Sequence, residues 1–174
     1  TIGAPATPPG RGGIAVVRLS GRQALAVVAT LLESPRELEE RRAHLCRLVL
    51  ADGDGAPALG EDAVVTFFAG PRSYTGEDVV EVSVHGSPVV VAAVVACACR
   101  AGARQASPGE FTLRAFLNGR LDLAQAEAVR DLVSATSPLQ ARVAFDQLQG
   151  GLSERLATIE RQAFDLCARL EAAV

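Results

Sequence analysis

Lysine is absent from this chain of 174 residues, and all 17 of its basic side chains are arginine. Methionine and tryptophan are missing too, and Tyr74 is the single tyrosine. The missing lysine excludes a specific chemistry. A phosphate-binding P-loop needs a lysine after its second glycine to reach the terminal phosphates, so this stretch hydrolyses no nucleotide by that route. A Schiff-base lysine is excluded on the same ground. The nucleophile elbow G-x-S-x-G, the zinc helix H-E-x-x-H and the pair C-x-x-C do not occur either. The four cysteines, Cys46, Cys97, Cys99 and Cys167, therefore read as small buried hydrophobes in a reducing compartment, not as a metal site or a disulfide frame. The longest apolar run, Val89 to Cys99, is about half of the ~20 residues that a membrane span needs. No charged-then-apolar leader opens the sequence. The expectation is a soluble cytoplasmic chain with no membrane partner, no metal and no catalytic residue of its own.

What is present describes an ordinary globular protein, 49% hydrophobic and 21% charged. The net charge of −3 argues for neither a nucleic-acid glove nor a membrane-surface patch, but the average hides an asymmetry. Residues 1–32 carry Arg11, Arg18 and Arg22 and no acid, a local +3, whereas residues 61–85 carry Glu61, Asp62, Glu77, Asp78 and Glu81 against Arg72, a local −4. Two such blocks either meet across a fold, face one mixed-charge ligand, or reflect ordinary surface variation.

Four Ser-Pro pairs punctuate the chain, at Ser34, Ser87, Ser107 and Ser137. Serine is a good N-cap and proline suits the first helical position, so helices are expected from about residues 88, 108 and 138. Glu110 and Gln140 stand at the capping-box position behind two of these pairs. Ser34-Pro35-Arg36-Glu37 fits the same template but leads into a charge-rich run. Short β-branched runs predict strands at Ile14–Arg18, His44–Leu50 and Ala63–Phe68, the last two joined by the turn-rich Asp52–Gly60. Val79–His85 alternates strictly, with Val80, Val82 and Val84 on one face and Glu81, Ser83 and His85 on the other. Apolar spacing predicts a helix over Arg22–Glu33 and a buried one over Pro88–Arg100, stopped by Gly102. The order is βαβββαβ, an α+β layer of helices on a mostly antiparallel sheet. Beyond residue 108 every signal is helical. Leu152, Leu156, Ile159, Ala163, Leu166 and Leu170 form a stripe that needs a partner.

Chemistry concentrates on the polar face of Val79–His85. It is either a solvated sheet face or the floor of a polar pocket. In a pocket, one carboxylate at Glu81 would take two parallel hydrogen bonds from an amidine-like ring edge, as in guanine or a pterin. Arg18, Arg114 and Arg120 are candidates to clamp carboxylates at the ligand's other end, because guanidinium forks match them. His85 shares the face with Glu81 and is expected to pair with it. Gly10-Arg11-Gly12-Gly13 precedes its strand and lacks the dinucleotide spacing, so it reads as a turn or a ligand-approaching loop.

Three stretches carry a resemblance: residues 6–21 (Ala6-Thr7-Pro8-Pro9-Gly10-Arg11-Gly12-Gly13-Ile14 onward), Ser73-Tyr74-Thr75-Gly76-Glu77-Asp78-Val79-Val80-Glu81, and residues 108–128 (Pro108-Gly109-Glu110-Phe111-Thr112-Leu113-Arg114 onward). In order and spacing they resemble the bacterial tRNA modification GTPase family (MnmE/TrmE). The resemblance implies a tetrahydrofolate-binding and dimerisation domain over residues 1–118, similar to that of aminomethyltransferases, and the first part of a helical domain over 119–174. It further implies a homodimer that binds 5-formyltetrahydrofolate through Arg18, Glu81 and Arg120. The GTPase domain, with its GTP, Mg and K, and a C-terminal cysteine motif would lie beyond Val174. The family's MnmG/GidA flavoprotein partner and its tRNA substrate, modified at C5 of the wobble uridine, come with the same resemblance. Many relatives have lysine where Arg120 stands, and the family's histidine-glycine-glycine turn appears as His85-Gly86-Ser87. Other readings of the same fold are a free-standing folate-dependent one-carbon transferase and a dimerisation module without ligand.

Overall fold

The computed structural model describes residues 1–51 and 58–172, which form two compact units, Thr1–Arg114 and Ala115–Val174. The expected turn over Asp52–Gly60 lies mostly outside the described residues.

The first unit is built on a six-stranded sheet in the order β3-β4-β5-β2-β1-β6. Its strands are β1 (Ile2–Pro5), β2 (Gly12–Ser20), β3 (Ala43–Leu50), β4 (Leu59–Phe68), β5 (Val79–Gly86) and β6 (Arg104–Gln105). Every pairing is antiparallel except β1 with β6. The α+β architecture and the mostly antiparallel sheet are as the sequence patterning implies, and the addition is β1. That short strand gains its place by pairing with the far end of β2, Ile2 opposite Ser20.

Period-two patterning builds the core. Val17 and Leu19 of β2, Leu48 of β3, Val65 of β4 and Val80 and Val82 of β5 are fully buried on one sheet face. Against them lie Val27 and Val28 of α1 (Ala24–Ala29) and Val94 and Ala98 of α2 (Pro88–Arg100). The opposite face leaves Ile14 and Leu45 each 71% exposed. Helix α1 is shorter than the expected Arg22–Glu33. Its C-terminal residues abandon helical bonding for the sheet: Val49 N–H donates to the Leu31 carbonyl and Glu33 N–H to that of Arg47. No helix forms behind Ser34-Pro35.

Helix α2 starts at Pro88 as expected and ends before Gly102, whose φ of +103° suits glycine. It is not buried all round, because Val94 and Ala98 are covered while Val89 is 72% exposed. The cysteines divide likewise: Cys46 is buried, with its thiol pushed up by burial; Cys97 and Cys99 are half-buried and Cys167 is exposed. Reading all four as buried therefore fails at Cys167. It sits on a helix whose apolar side chains meet solvent. Gly86 closes β5 where an added Cβ would fall 2.4 Å from the Gly12 carbonyl oxygen, so β2 and β5 approach too closely there for any other residue.

The second unit is helical: the end of α3 (Glu110–Leu117), then α4 (Leu123–Val133), α5 (Pro138–Leu148) and α6 (Gly151–Glu171). Asp122 caps α4 in a reciprocal capping box with Gln125, at bonds of 2.8 and 2.9 Å. Ser137 caps α5 through the Gln140 N–H at 3.2 Å. Gln125 and Gln147 cross-tie α4 and α5 through the Leu148 and Ala124 carbonyls. Along α6, Leu156, Ile159, Leu166 and Leu170 are all more than half exposed, so the stripe read from sequence is uncovered.

Candidate functional site

Arg18 on β2 and Glu81 on β5 are direct cross-strand partners on the open face of the sheet. Such pairs hold their Cβ atoms about 5 Å apart, which leaves a long and a medium side chain free to meet end-on. Arg18 donates from Nε (2.9 Å) and from Nη2 (2.6 Å), and both bonds land on Oε1 of Glu81. Oε2 is left without a protein donor among the described residues. The pair is neither dry nor free, with 25% and 29% of the two side chains exposed. Here the basic and acidic blocks of the sequence meet within the first unit.

The Arg18 guanidinium also lies 5.0 Å from the ring centroid of Tyr74 and 5.8 Å from that of Phe111, within cation–π range of both. Tyr74 comes from the loop before β5, and its hydroxyl shares a hydrogen bond of 2.9 Å with Thr112 on α3. The two aromatic contributors are thus tied together by a bond one residue beyond Phe111.

Behind them a polar network fixes the loop to α3. Ser20 and Thr75, both fully buried, share a 2.7 Å hydroxyl bond, and Ser20 also donates to Glu77 at 2.8 Å. Arg114 bridges Glu77 at 2.9 Å and Glu110 at 3.1 Å, and Arg104 holds Glu110 at 2.6 Å. Burial acts against the charged form of Glu77, but the Arg114 and Ser20 hydrogen bonds outweigh it and keep the carboxyl below its ordinary value. Glu110 is lowered to about 2, by Arg104 first and by the Ser107 backbone N–H next. Arg114, a candidate clamp from sequence, is engaged in this network.

The residues expected from sequence fall into two groups. Arg18 and Glu81 come together. Arg120 belongs to the second unit, where it is exposed and its backbone N–H caps the end of α3 on the Ala115 carbonyl at 2.8 Å. The expected pairing of His85 with Glu81 does not form. Residues four apart on one strand are about 13 Å apart, so a strand face offers partners across strands, not along them. His85, 71% exposed at its side chain, bonds instead to Glu61 of β4, which accepts from His85 N–H at 2.7 Å and lies 2.8 Å from Nδ1. Sequence reasoning gave no role to Tyr74, Phe111, Ser20 or Thr75. Their available signal was rarity, since Tyr74 is the single tyrosine and Phe111 one of six phenylalanines. Among the described residues no three His, Cys, Asp or Glu side chains gather as a metal site, and no helix is long and apolar enough to cross a membrane.

Residues 1–120 match the family model described as GTP-binding protein TrmE N-terminus, and residues 123–174 match the MnmE helical domain. The tRNA modification GTPase MnmE of Koribacter versatilis (strain Ellin345) is 52% identical over 177 residues. Those of Legionella pneumophila (strain Corby) and Moorella thermoacetica are 44% identical over 174 residues and 45% over 177. Each alignment covers 100% of this chain and 38% of the relative, so the chain spans well under half the length of the curated relatives it matches.

Proposed function

The chain belongs to the tRNA modification GTPase MnmE family, whose N-terminal region it matches, and on that premise we propose that it is the folate-binding and dimer-forming part of such a GTPase. The observation that carries the reading is Glu81: a half-buried carboxylate on an open sheet face, one oxygen held by Arg18 and the other free for a ligand donor. The residues fit a reduced folate. The pterin's amidine edge needs a planar acceptor with two oxygens, which Glu81 supplies once Arg18 leaves Oε1 for the ligand's anionic tail. The ligand's anionic tail needs a guanidinium partner, which Arg18 supplies; Arg120 is the second arginine that the family resemblance implies. Bound 5-formyltetrahydrofolate supplies a one-carbon unit. Glu81 orients the ring edge, and Arg18 fixes the tail.

The chain's own contribution is binding and orientation. It has no P-loop lysine, so in the whole protein GTP, with Mg and K, is handled outside these residues. Acting with an MnmG/GidA-family flavoprotein in the cytoplasm, that protein modifies C5 of the wobble uridine of tRNA. The exposed Ile14 and Leu45 are apolar surface of the kind a second copy covers.

Calorimetric titration of 5-formyltetrahydrofolate against wild type and Glu81→Ala tests the reading. Loss of a charge-assisted contact costs about 1.5–3 kcal/mol, a roughly tenfold to hundredfold drop in affinity. Equal affinity for both proteins would overturn the site.

A further inference from the structure

We propose that Tyr74 and Phe111 are the specificity-determining residues of this site: their rings form the wall against which a flat, amidine-edged ring system stacks once its edge has engaged Glu81. The inference rests on the folate reading and deepens it, by assigning the part of the site that distinguishes a planar ring from any other hydrogen-bond donor.

Glu81 alone cannot make that distinction. Two parallel N–H bonds fix an edge in the carboxylate plane, but an arginine side chain, a water pair or an alkyl amidine satisfies them equally well. Selectivity for a ring needs contact with its faces. The structure contains a stand-in for such a ligand, the Arg18 guanidinium. It is a flat, delocalised N–C–N group that donates two N–H bonds to Glu81 while lying at 5.0 Å and 5.8 Å from the two ring centroids. The donor edge of a pterin is a guanidine-type N–C–N unit inside a larger plane. Arg18 places both of its bonds on Oε1, and a pterin edge spread over both carboxylate oxygens reaches the same two rings. The ligand ring takes the guanidinium's place, and the displaced Arg18 turns its positive charge to the anionic tail.

The wall is held in advance. Tyr74 is anchored by its hydroxyl to Thr112, one residue from Phe111. Its neighbour Thr75 is pinned by Ser20, and Glu77 by Arg114. A wall fixed before binding costs the ligand little ordering.

The single tyrosine supplies a direct readout. Biosynthetic 3-fluorotyrosine gives this chain one 19F resonance, that of Tyr74. A pterin lacking the tail should shift it, and p-aminobenzoylglutamate, which is tail without pterin, should not. In titrations with 5-formyltetrahydrofolate, Tyr74→Leu and Phe111→Leu should each weaken binding about three- to tenfold. Phe111→Tyr keeps a ring and should stay within about twofold, which separates lost stacking from a damaged fold. If Glu81→Ala loses affinity while both leucine variants bind as wild type, the wall is overturned and the carboxylate site stands. If Glu81→Ala binds as wild type, the folate reading falls and this inference with it. A Tyr74 resonance that the pterin fragment leaves unmoved also overturns the wall.

Discussion

The two units solve the problem of burial differently. In the first, the fully buried positions are large: Ile2, Val17, Leu19, Leu48, Val65 and Val82 all have under 2% of their surface exposed. In the second, the buried positions among the described residues are small, Ala115, Ala128, Ala144 and Gly150, while Val133 is 82% exposed and Leu139 72%. A sheet covered on one face by α1 and α2 removes whole side chains from water, at ~25 cal/mol per Å² of apolar area. The helices α4 and α5 meet through small residues and glutamine cross-ties, and α6 adds a stripe that touches little. The difference teaches where stability resides. The first unit carries its own core, and the second is held by caps and short polar ties.

The sharpest way to break this comparison is a cavity in the sheet core. Leu48→Ala removes a fully buried side chain and should cost about 2–5 kcal/mol, read as a lower urea midpoint by circular dichroism. A loss under about 1 kcal/mol would mean the first unit is looser than its burial implies.

That core was readable in the sequence because β5 obeys a strict two-residue alternation, and Val80, Val82 and Val84 could be placed on one face without knowing any partner strand. β1 could not be read. Ile2–Pro5 has no alternation to recognise and is a strand because Ile2 and Gly3 find Ser20 and Leu19 across the sheet. The short α1 has the same cause, since Leu31 and Glu33 bond to β3 in preference to the helix. At the site, the pairing of Glu81 with Arg18 depends on register, which a single sequence does not display. The roles of Tyr74 and Phe111 depend on how a loop and a helix fold back onto β2. Charge asymmetry did foreshadow the meeting of the blocks, because opposite charges separated by sixty residues gain most when strands bring them side by side.

A smaller effect sharpens the other side of the comparison. Asp122→Ala deletes the α4 cap and its 2.5 Å bond from Ser153, and should cost about 1 kcal/mol, visible as faster amide exchange in the first turn of α4. The Asp122 carboxyl is lowered below its ordinary 3.8 by Ser153 first and by the Gln125 N–H next. Its stabilisation is therefore complete above pH 3.8 and lost as pH falls through the lower folded value. The first unit has its own acid-sensitive point at Glu110, whose contribution is complete above 4.5 and fades toward about 2. Between these limits, Asp122→Ala should remove the acid dependence of α4 and leave that of Glu110 intact. Amide exchange followed from pH 6 to pH 2.5 separates the two.

The smallest expected effect is the most informative about α6. Ile159 is 61% exposed, so Ile159→Ala empties no packed space and should change stability by less than about 0.5 kcal/mol. The same deletion of methyl groups in the sheet core costs several times more, because there the surrounding atoms lose contacts that water does not replace. If Ile159→Ala instead costs more than about 1 kcal/mol, something covers the stripe in solution. A wild-type melting temperature that rises with protein concentration, and a variant whose melting temperature does not, would identify the cover as a second copy of the chain. The helical unit would then draw its apolar burial from association, as the sheet unit draws it from its own fold.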